Sequence, residues 1–478
     1  MTKTIKNLFQ YTFVLVCATL VFSCGDDELQ LPDNLVQFES TALGISATED
    51  EIQINLFLSR SATEESTIVI DAVLTGLVHG VDVVTEPALT GNTLTLTLAP
   101  GAAQASFKVK KLPGILLLGE EKIVFTIQSA GGTLVVGTQK ELSVSFAEIV
   151  SSGASMSPNV GGNAQPNKVF IDFSNNRQTF ISRSDWDLGF YTAEGQYRVV
   201  LNSSTGMMAR LLDKTDLNAV TAADTAGFGS QLSLPAVFAA LLGPPVPWIS
   251  QAVNWIDDPA GDLTKTAIGE VSASVSENEV YIINRGFNAD GTPRGWKKIR
   301  VLRNGGGYSL QHADINATSF STIQVDRDDD FLFNYINFDG GLLQAEPEKE
   351  RWDIAFTVFT NITAFGPTLI VPFEFRDFVV QNRHEVETAQ VLTSVVSYEN
   401  FSTSNLSSVV FSTTQNNIGG TWRTIPSNSP TPPSVNTDRF YVVKDAAGNI
   451  YKLRFTALTL NGERGHPQIE YALVQAGG

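Results

Sequence analysis

The chain has 478 residues, a length that suggests about three domains at roughly 100 to 200 residues each. Charged residues make up 17% of the chain, below the usual level of about 25%, and Ser, Thr, Asn and Gly are abundant. This composition favours an extracellular β-protein over a cytosolic helical one. The net charge of −18 is spread along the chain without a basic stripe. Nucleic acid is therefore not an expected partner, because phosphate binding needs clustered Lys and Arg.

Residues 1–24 are predicted to be a lipoprotein signal peptide. Lys3 and Lys6 form a positive start, and the apolar run that follows them is too short for a transmembrane helix, which needs about 20 residues. The run ends in the string VFSCG, which resembles a bacterial lipobox with Cys24 as the lipidated residue. The alternative is a plain secretory signal in which Cys24 stands by chance. Cys17 lies inside the signal, so we expect a mature chain without a disulfide.

A polar tether is predicted for residues 25–34. It opens with the acidic string GDDE directly after Cys24, which resembles the signal that sends lipoproteins of the Bacteroidetes to the outer face of the outer membrane. An ordinary solvated tether would have a similar composition. We therefore expect an outer-membrane protein that is anchored by lipid and faces the cell exterior, with periplasmic retention as the alternative.

Residues 35–148 are predicted to form an antiparallel β-sandwich. Apolar and polar residues alternate along several segments, such as 52–58 and 93–98, and turn signals recur about every 8 to 12 residues. The order of features, among them VQF at 36–38 and GVD at 80–82, resembles the Calx-β family of sandwiches.

The acidic residues of this region have two interpretations. Some acidic loops of the Calx-β family bind calcium, and carboxylates are the hard oxygen ligands that calcium prefers. Acidic residues at strand ends are more often only solvated, in which case the sandwich is a spacer that holds the rest of the chain away from the membrane. The candidate calcium ligands are Glu49, Asp50, Glu51, Asp82 and Glu121.

A five-residue string occurs twice beyond a linker at 149–167 that is rich in Ser, Gly, Asn and Pro. Its copies are WDLGF at 186–190 and WDIAF at 352–356, 166 residues apart. An alternating apolar segment precedes each copy, and a late hairpin that begins at Tyr281 or Tyr441 follows it. This period is domain-sized, well above the roughly 20 to 50 residues of solenoid repeats.

Together these patterns predict an all-β chain, in which the N-terminal β-sandwich is followed by two tandem antiparallel β domains at 168–320 and 321–478. Both domains resemble the HmuY-like haem-binding lipoproteins of Bacteroidetes, which have an early strand pair, a Trp-Asp-x-x-Phe strand and a late hairpin. The second domain fits better, with YKLRF at 451–455 and a closing strand at 468–474. The resemblance implies a non-enzymatic surface protein that binds haem or a related ligand for nutrient acquisition. A haem-bearing host protein and an outer-membrane transporter are the partners that it implies.

The two Trp-Asp strings are predicted to determine the fold rather than to catalyse a reaction. Trp and Phe each bury on the order of 150 to 250 Å², enough to anchor one sheet on another. The neighbouring carboxylate must find donors, because an unpaired buried carboxylate is costly. The expected donors to Asp187 and Asp353 are backbone amides of a neighbouring turn, or Arg300 and Arg454 of the late hairpins.

Haem would need axial ligands from His or Met. The resemblance implies two such ligands on loops between the Trp-Asp strand and the late hairpin, a window that holds Met207, Met208 and His384. Adjacent methionines in an extended strand point in opposite directions, so both cannot easily ligate one iron, and His384 alone would give at most five-coordination. Each residue also has a plain structural alternative, since Met fills cores and a lone surface His needs no ligand.

Other motifs leave an enzymatic function unsupported. The four histidines have no metal-binding spacing, and the sequence has no nucleophile elbow, phosphate loop or Rossmann string. The apolar stretch 234–242 is predicted to be a helix packed on the sheet, with a lid over a ligand as the alternative. Trp248, Trp255 and Trp422 either fill cores or stack on sugar rings. A carbohydrate- or protein-binding adhesive surface protein is therefore the alternative function.

Overall fold

The described part of the chain is built almost entirely of strands, which confirms the predicted all-β class. None of its helices is long and apolar enough to cross a membrane. The signal peptide with Cys24, and the candidate calcium ligand Glu49, lie outside the described residues. The structure is a computed structural model that describes residues 33–45, 50–112, 121–146, 151–229, 231–243, 248–365, 369–426 and 432–477.

The N-terminal region forms the predicted β-sandwich from two five-stranded sheets. Its strands are β1 (Asn34–Phe38), β2 (Ala42–Gly44), β3 (Glu51–Leu58), β4 (Ser66–Thr75), β5 (Val83–Glu86), β6 (Thr93–Leu98), β7 (Gln104–Lys111), β8 (Lys122–Ala130), β9 (Leu134–Val136) and β10 (Glu141–Ser145). The sheet orders are β5-β7-β3-β1-β9 and β2-β10-β8-β4-β6. Alternate side chains of each strand point into one shared core, as the period of two requires.

The remainder of the described chain forms twenty strands, one α-helix and several short 3₁₀ turns. The strands up to residue 325 are β11 (Gly153–Met156), β12 (Asn167–Asp172), β13 (Arg177–Ser182), β14 (Leu188–Tyr191), β15 (Val199–Leu201), β16 (Met208–Leu211), β17 (Tyr281–Asn284), β18 (Trp296–Asn304), β19 (Gly307–Asp314) and β20 (Ser321–Val325). Those beyond it are β21 (Phe333–Asn337), β22 (Gly341–Leu343), β23 (Ile354–Phe365), β24 (Leu369–Gln381), β25 (Glu387–Leu392), β26 (Arg423–Thr424), β27 (Ser434–Val435), β28 (Arg439–Lys444), β29 (Ile450–Leu460) and β30 (Glu463–Gln475).

The helix, α1 (Leu234–Leu242), is the element that the sequence predicts at this position. Its buried residue Val237 packs against Val371 and Phe373 of β24, so α1 is a helix packed on a sheet. Two of the three tryptophans considered for sugar stacking fill cores. Trp422 is fully buried and Trp255 is 6% exposed.

Four larger sheets beyond the sandwich fall into two equivalent halves. Half A is the continuous segment from β14 to β22, with sheet orders β16-β17-β18-β19-β20 and β15-β14-β21-β22. Half B combines β11 to β13 with β23 to β30, and its two sheets have the orders β25-β28-β29-β30-β11 and β13-β12-β23-β24. Each strand of these four sheets has a counterpart in the other half, whereas β26 and β27 of half B form a separate two-stranded sheet.

The early strand pairs are exchanged relative to the prediction. The pair β12–β13, predicted to start the first domain, adds to the Trp-Asp strand β23 of half B. The pair β21–β22, predicted to start the second, adds to the Trp-Asp strand β14 of half A. The predicted boundary between residues 320 and 321 therefore falls inside half A rather than between the halves.

The same backbone hydrogen bonds surround both Trp-Asp strings. The amide of Asp187 donates to the carbonyl of Ile336 at 2.8 Å, and the amide of Asp353 donates to that of Ile171 at 2.7 Å. The side chain of each aspartate accepts a backbone amide in return: Phe338 donates to Asp187 at 2.8 Å. Phe173 donates to Asp353 at 2.7 Å. These bonds confirm the expectation that a neighbouring turn would supply donors.

An asparagine braces each string from the next strand. The amide group of Asn202 donates to the carbonyl of Trp186 at 2.8 Å, and that of Asn382 donates to the carbonyl of Trp352 at 2.8 Å. Because the bonds repeat atom for atom, they define which positions of the two halves are equivalent.

The charged surroundings of the two aspartates are opposite. Asp187 is fully buried, and its carboxylate lies 2.9 Å from both Arg285 and Arg294. Asp353 has no cation beside it within the described residues. Burial raises its pKa well above 3.8, and the nearby carboxylates of Asp172 and Asp445 raise it further.

The arginines expected at these aspartates have other partners. Arg300 donates to the carbonyl of Asn278 at 2.7 Å, and Arg454 pairs with Glu470 at 2.9 Å. Arg285 directly follows β17, whereas the residue that directly follows the equivalent strand β28 is Asp445. A carboxylate therefore replaces the guanidinium at this position of half B.

Isosteric substitutions at the two aspartates should have opposite effects on stability. Asp187→Asn leaves two buried arginines without their counter-charge, and we expect a loss of about 3 to 5 kcal/mol in the free energy of unfolding. Asp353→Asn keeps an oxygen that accepts the amide of Phe173, and it removes the carboxyl that takes up a proton on folding. We expect no loss at neutral pH, or a gain on the order of 1 kcal/mol. Urea unfolding of the two variants measures both effects.

The pH dependence provides the control for this comparison. A carboxyl whose pKa is raised by folding binds more protons in the folded state, so stability falls as the pH rises from 3.8 through the folded pKa. Asp353→Asn should flatten this part of the profile. Equal losses in both variants would contradict the assignment of opposite surroundings.

Candidate functional site

A cavity lies between the two Trp-Asp strings, where halves A and B meet. Its volume is about 60 Å³, and we call it the central cavity. Equivalent residues of both halves line it, which places it at the seam between them. The lining residues used below are Lys168, Trp186, Tyr335, Glu346, Trp352 and Arg383.

The two tryptophans form matching walls. Trp186 packs edge-on against Tyr335 with ring centres 4.8 Å apart, and Trp352 packs in the same way against Phe170 at 5.1 Å. Both tryptophans are at least nine-tenths buried, as the sequence predicts for fold determinants. Neither indole N–H has an acceptor among the described residues. An unpaired buried donor is unfavourable unless a water or ligand satisfies it.

Lys168 extends along these aromatic walls from β12. Its ammonium lies 4.8 Å from the ring centre of Phe170, 5.9 Å from that of Trp186 and 5.8 Å from that of Trp352. Such contacts stabilise a cation by about 0.5 to 2 kcal/mol. They do not fully compensate for the loss of water, because burial lowers the pKa of Lys168 to about 8.

Glu346 is an acidic residue that lines the cavity together with Lys168. It is 7% exposed, and its Oε1 has no hydrogen-bond donor among the described residues. Burial raises its pKa, which Lys168 and the hydroxyl of Tyr335 partly counteract. Arg383 approaches from the end of β24, with its guanidinium 4.5 Å from the ring centre of Phe333.

The two halves differ in the residues that they place at equivalent positions of the cavity lining. Lys168 lies five residues before Phe173, and the position five residues before Phe338 is Phe333. Both Lys168 and Phe333 line the cavity.

Two more pairs follow from the bracing asparagines. Arg383, one residue after Asn382, corresponds to Ser203, one residue after Asn202. Gln381 and Leu201 are equivalent by the same count, and all four side chains line the cavity. The two halves thus supply similar backbones but different chemistry.

An aspartate from the long insert closes one side of the cavity. Asp257 accepts the backbone amides of Leu201 at 2.7 Å and Ala267 at 2.9 Å. Burial raises its pKa to about 6, and the two amides limit the rise. Its neighbour Asp258 also lines the cavity and accepts the amide of Asp262 at 3.2 Å.

The structure does not bring the candidate haem ligands together. Met207 is 1% exposed, packs in the core of half A and also lines the central cavity. Met208 is fully buried in a different cluster, as expected for adjacent residues of a strand. His384 lies in the turn before β25, where its Nε2 is 3.9 Å from Glu350.

These positions do not fit haem. Pockets that enclose a drug-sized ligand have volumes of about 300 to 1,000 Å³, several times the volume of the central cavity. A pair of axial ligands must also face one iron, and the two methionines face different cores. Whether any of the three residues ligates iron stays a prediction.

Two of the candidate calcium ligands have other partners. Glu51 forms ion pairs with Lys108 and Lys110. Asp82 accepts the backbone amide of Val78 at 2.7 Å. Within the described residues, no three His, Cys, Asp or Glu side chains are grouped so that they could hold a metal. Asp50 and Glu121 therefore belong to no such group.

Comparison with known proteins identifies the region that contains the cavity. The sequence profile described as "HmuY protein" matches residues 164–471, more than half of the chain. The chain belongs to the HmuY family. The match is one continuous stretch that includes both Trp-Asp strings. No curated protein matches the chain.

Three solved structures show distant similarity to this HmuY-family chain. The apo form of the Calx CBD1 domain is 10% identical with a TM-score of 0.21, over 24% of this chain and 97% of that one. CBD12 from CALX1.2 is 10% identical with a TM-score of 0.21, over 31% of this chain and 75% of that one. A putative carbohydrate binding protein from Bacteroides ovatus ATCC 8483 is 10% identical with a TM-score of 0.17, over 72% of this chain and 97% of that one.

Lys168 should lower the stability of the fold in a pH-dependent way. Its folded pKa is about 8 instead of 10.5, so the unfolded chain binds more protons between these values and stability rises with pH there. Lys168→Met removes the partly buried charge. We expect it to gain about 1 to 3 kcal/mol at neutral pH. Thermal or urea unfolding at several pH values checks this.

The difference between Lys168→Met and the parent protein should shrink as the pH rises from 8 to 10.5. Lys444→Met is a matched control, since Lys444 pairs with Glu387 at 3.3 Å and its side chain is 41% exposed. A stability difference for Lys168→Met that is constant with pH would rule out the buried ammonium as its cause.

Proposed function

We propose that this HmuY-family chain is a lipid-anchored binding protein of the bacterial cell surface, which captures a ligand for nutrient acquisition in the central cavity. Family membership supports a binding protein rather than an enzyme. The observation that carries the proposal is a cavity lined by Lys168, Glu346, Arg383 and two tryptophans whose N–H groups have no acceptor in the part of the chain that the structure describes.

The energetic cost of this cluster argues for a binding role. Half A places Phe333, Leu201 and Ser203 at the positions where half B has Lys168, Gln381 and Arg383. The same backbone therefore accommodates apolar or small residues at all three positions. Burying a charge without a partner is unfavourable, and such groups are concentrated at functional sites.

The equivalence of the halves supports descent of both from one duplicated unit. In this proposal the unit runs from an edge strand through an early pair and the Trp-Asp strand to the late hairpin. The two copies then exchanged their early strands, so that residues 321–343 now complete half A.

Haem is the ligand that the family suggests, but the described residues do not form a haem site. The other predicted function, binding of carbohydrate through stacked tryptophans, lacks support at Trp255 and Trp422 because both are buried. We therefore propose a smaller ligand for the central cavity.

A ligand panel tests the cavity as the binding site. Thermal shifts with haemin, neutral saccharides, amino acids and small carboxylates should identify at least one stabilising class. Ser203→Phe, which adds bulk at a lining position, should abolish that shift. Ser276→Phe, at an exposed serine, is the control. A shift that survives in Ser203→Phe would place the ligand elsewhere. A haemin Soret band that is lost in Met207→Ala or His384→Ala would reinstate haem.

Lipid anchoring has its own test. Replacing Cys24 removes the only thiol that the predicted lipobox offers for lipidation. We expect Cys24→Ser to move the protein from the membrane fraction to the soluble fraction of the producing cell. Labelling with a palmitate analogue should disappear together with membrane association. Retention of Cys24→Ser in membranes would contradict the anchor, and protease accessibility on intact cells of the parent protein separates surface display from periplasmic retention.

A further inference from the structure

Several hydrogen-bond donors of the central cavity have no acceptor in the described part of the chain. Among them are the indole N–H groups of Trp186 and Trp352, although these residues are only 4% and 5% exposed. The ammonium of Lys168 forms no hydrogen bond or ion pair with any described residue. The guanidinium of Arg383 stacks on a ring and has no described hydrogen-bond acceptor.

The acidic residues that line the cavity are largely satisfied. Both oxygens of Asp257 accept backbone amides, and Asp258 accepts the amide of Asp262. Oε1 of Glu346 is a buried carboxylate oxygen without a donor among the described residues. The unpaired donors of the cavity, two of which are cationic, therefore favour an acceptor that carries negative charge.

We propose that the central cavity binds the carboxylate group of a small organic acid, with Lys168 and Arg383 as its counter-charges and the two tryptophan N–H groups as additional donors. This inference rests on the proposed function, because it names the ligand of the same cavity. A planar carboxylate has two oxygens, each able to accept several hydrogen bonds, and so can satisfy donors that approach from opposite walls.

The volume of the cavity limits the size of the ligand. A single water requires roughly 10 to 15 Å³ on the measure that gives about 60 Å³ here. The space therefore suits about four to six non-hydrogen atoms. Acetate and lactate have this size. A larger acid would place only its carboxylate inside.

The ammonium of Lys168 has no close counter-charge among the described residues. Glu346 and Arg383 are the charged groups whose fields reach it, and they act in opposite directions. A bound carboxylate would supply the missing counter-charge at short range. Binding should therefore hold the proton on Lys168, whose pKa is about 8 without the ligand.

Calorimetry with the purified mature chain tests the inference. Sodium acetate is the probe, acetamide is its neutral analogue, and sodium chloride controls for ionic strength. We expect saturable acetate binding that is about 10- to 100-fold weaker in Lys168→Met, the effect of losing one charged hydrogen bond. Trp352→Phe keeps an aromatic ring at this position and removes the N–H donor, so it should weaken acetate binding less than Lys168→Met does. Lys444→Met should bind like the parent protein.

The pH dependence gives a readout that a purely structural role would not produce. Affinity for acetate should fall as the pH rises beyond about 8, and Lys168→Met should lack this fall. Lys168→Arg should recover part of the affinity, because it restores the positive charge.

Several results would overturn the inference. They are equal binding of acetamide and acetate, unchanged acetate binding in Lys168→Met, and equal binding of inorganic phosphate, which would indicate a general anion site. Lactate and a longer acid such as glucuronate distinguish a small free acid from the carboxylate arm of a larger ligand. If the ligand panel identifies a neutral compound that Ser203→Phe excludes, the carboxylate inference fails while the proposed function stands. If no compound binds at the cavity, both fail.

Discussion

The hydrogen bond between each Trp-Asp aspartate and the amide of a phenylalanine is the interaction on which the family domain depends. Phe173 and Phe338 directly follow the first strand of an early pair, and Asp353 and Asp187 directly precede a Trp-Asp strand. Each bond joins segments that lie about 150 to 180 residues apart in the chain. The aspartate fixes the register of the exchanged strands, because a slip by one residue would turn the tryptophan away from its aromatic partner.

The two halves show that one backbone arrangement accommodates opposite electrostatics. In half A, two arginines neutralise Asp187, and removal of either partner would leave a buried charge. In half B, the equivalent carboxyl lies near two others, and protonation relieves the repulsion. The backbone amide is the donor common to both. The conformation therefore depends on the acceptor oxygen, while the charge on the carboxyl depends on the residues around it.

Much of the fold follows from patterns within the sequence, but the pairing of its strands does not. Alternation and turn residues locate the sandwich, the Trp-Asp strands and the late hairpins, because these signals are local. The early pair β12–β13 has no local feature that specifies its neighbour. It pairs with β23 instead of β14, although both Trp-Asp strands pair with an early strand in the same antiparallel way. A repeated sequence thus leaves open which copy completes which sheet.

The sequence patterns did not predict the polar residues of the central cavity, for a related reason. Lys168 and Glu346 are single polar residues near apolar strands, a pattern that usually indicates a solvated edge. The signal becomes visible only when the two halves are aligned. Alignment on Phe173 and Phe338 places Lys168 opposite Phe333, and alignment on the bracing asparagines places Arg383 opposite Ser203. The methionines and histidine selected by comparison with haem proteins are spread over separate surroundings. Ligation depends on convergence in space, which residue type and order do not determine.

The seam, where the equivalent halves A and B meet around the central cavity, is a suitable place for a binding site. Apart from α1, which packs on β24 of half B, each half buries its apolar residues in its own core, whereas at the seam matching surfaces face each other. Two bulky tryptophans at equivalent positions keep these surfaces apart, so residues around them can change without disrupting either core. The cavity has aromatic walls from both halves but cations from half B alone. A ligand with charge at one end requires cations from one half alone. If both halves contributed the same residues, the cavity would present the same groups to both ends of the ligand. The partly buried lysine lowers the stability of the free protein, and the same unmet charge provides the driving force for binding an anion.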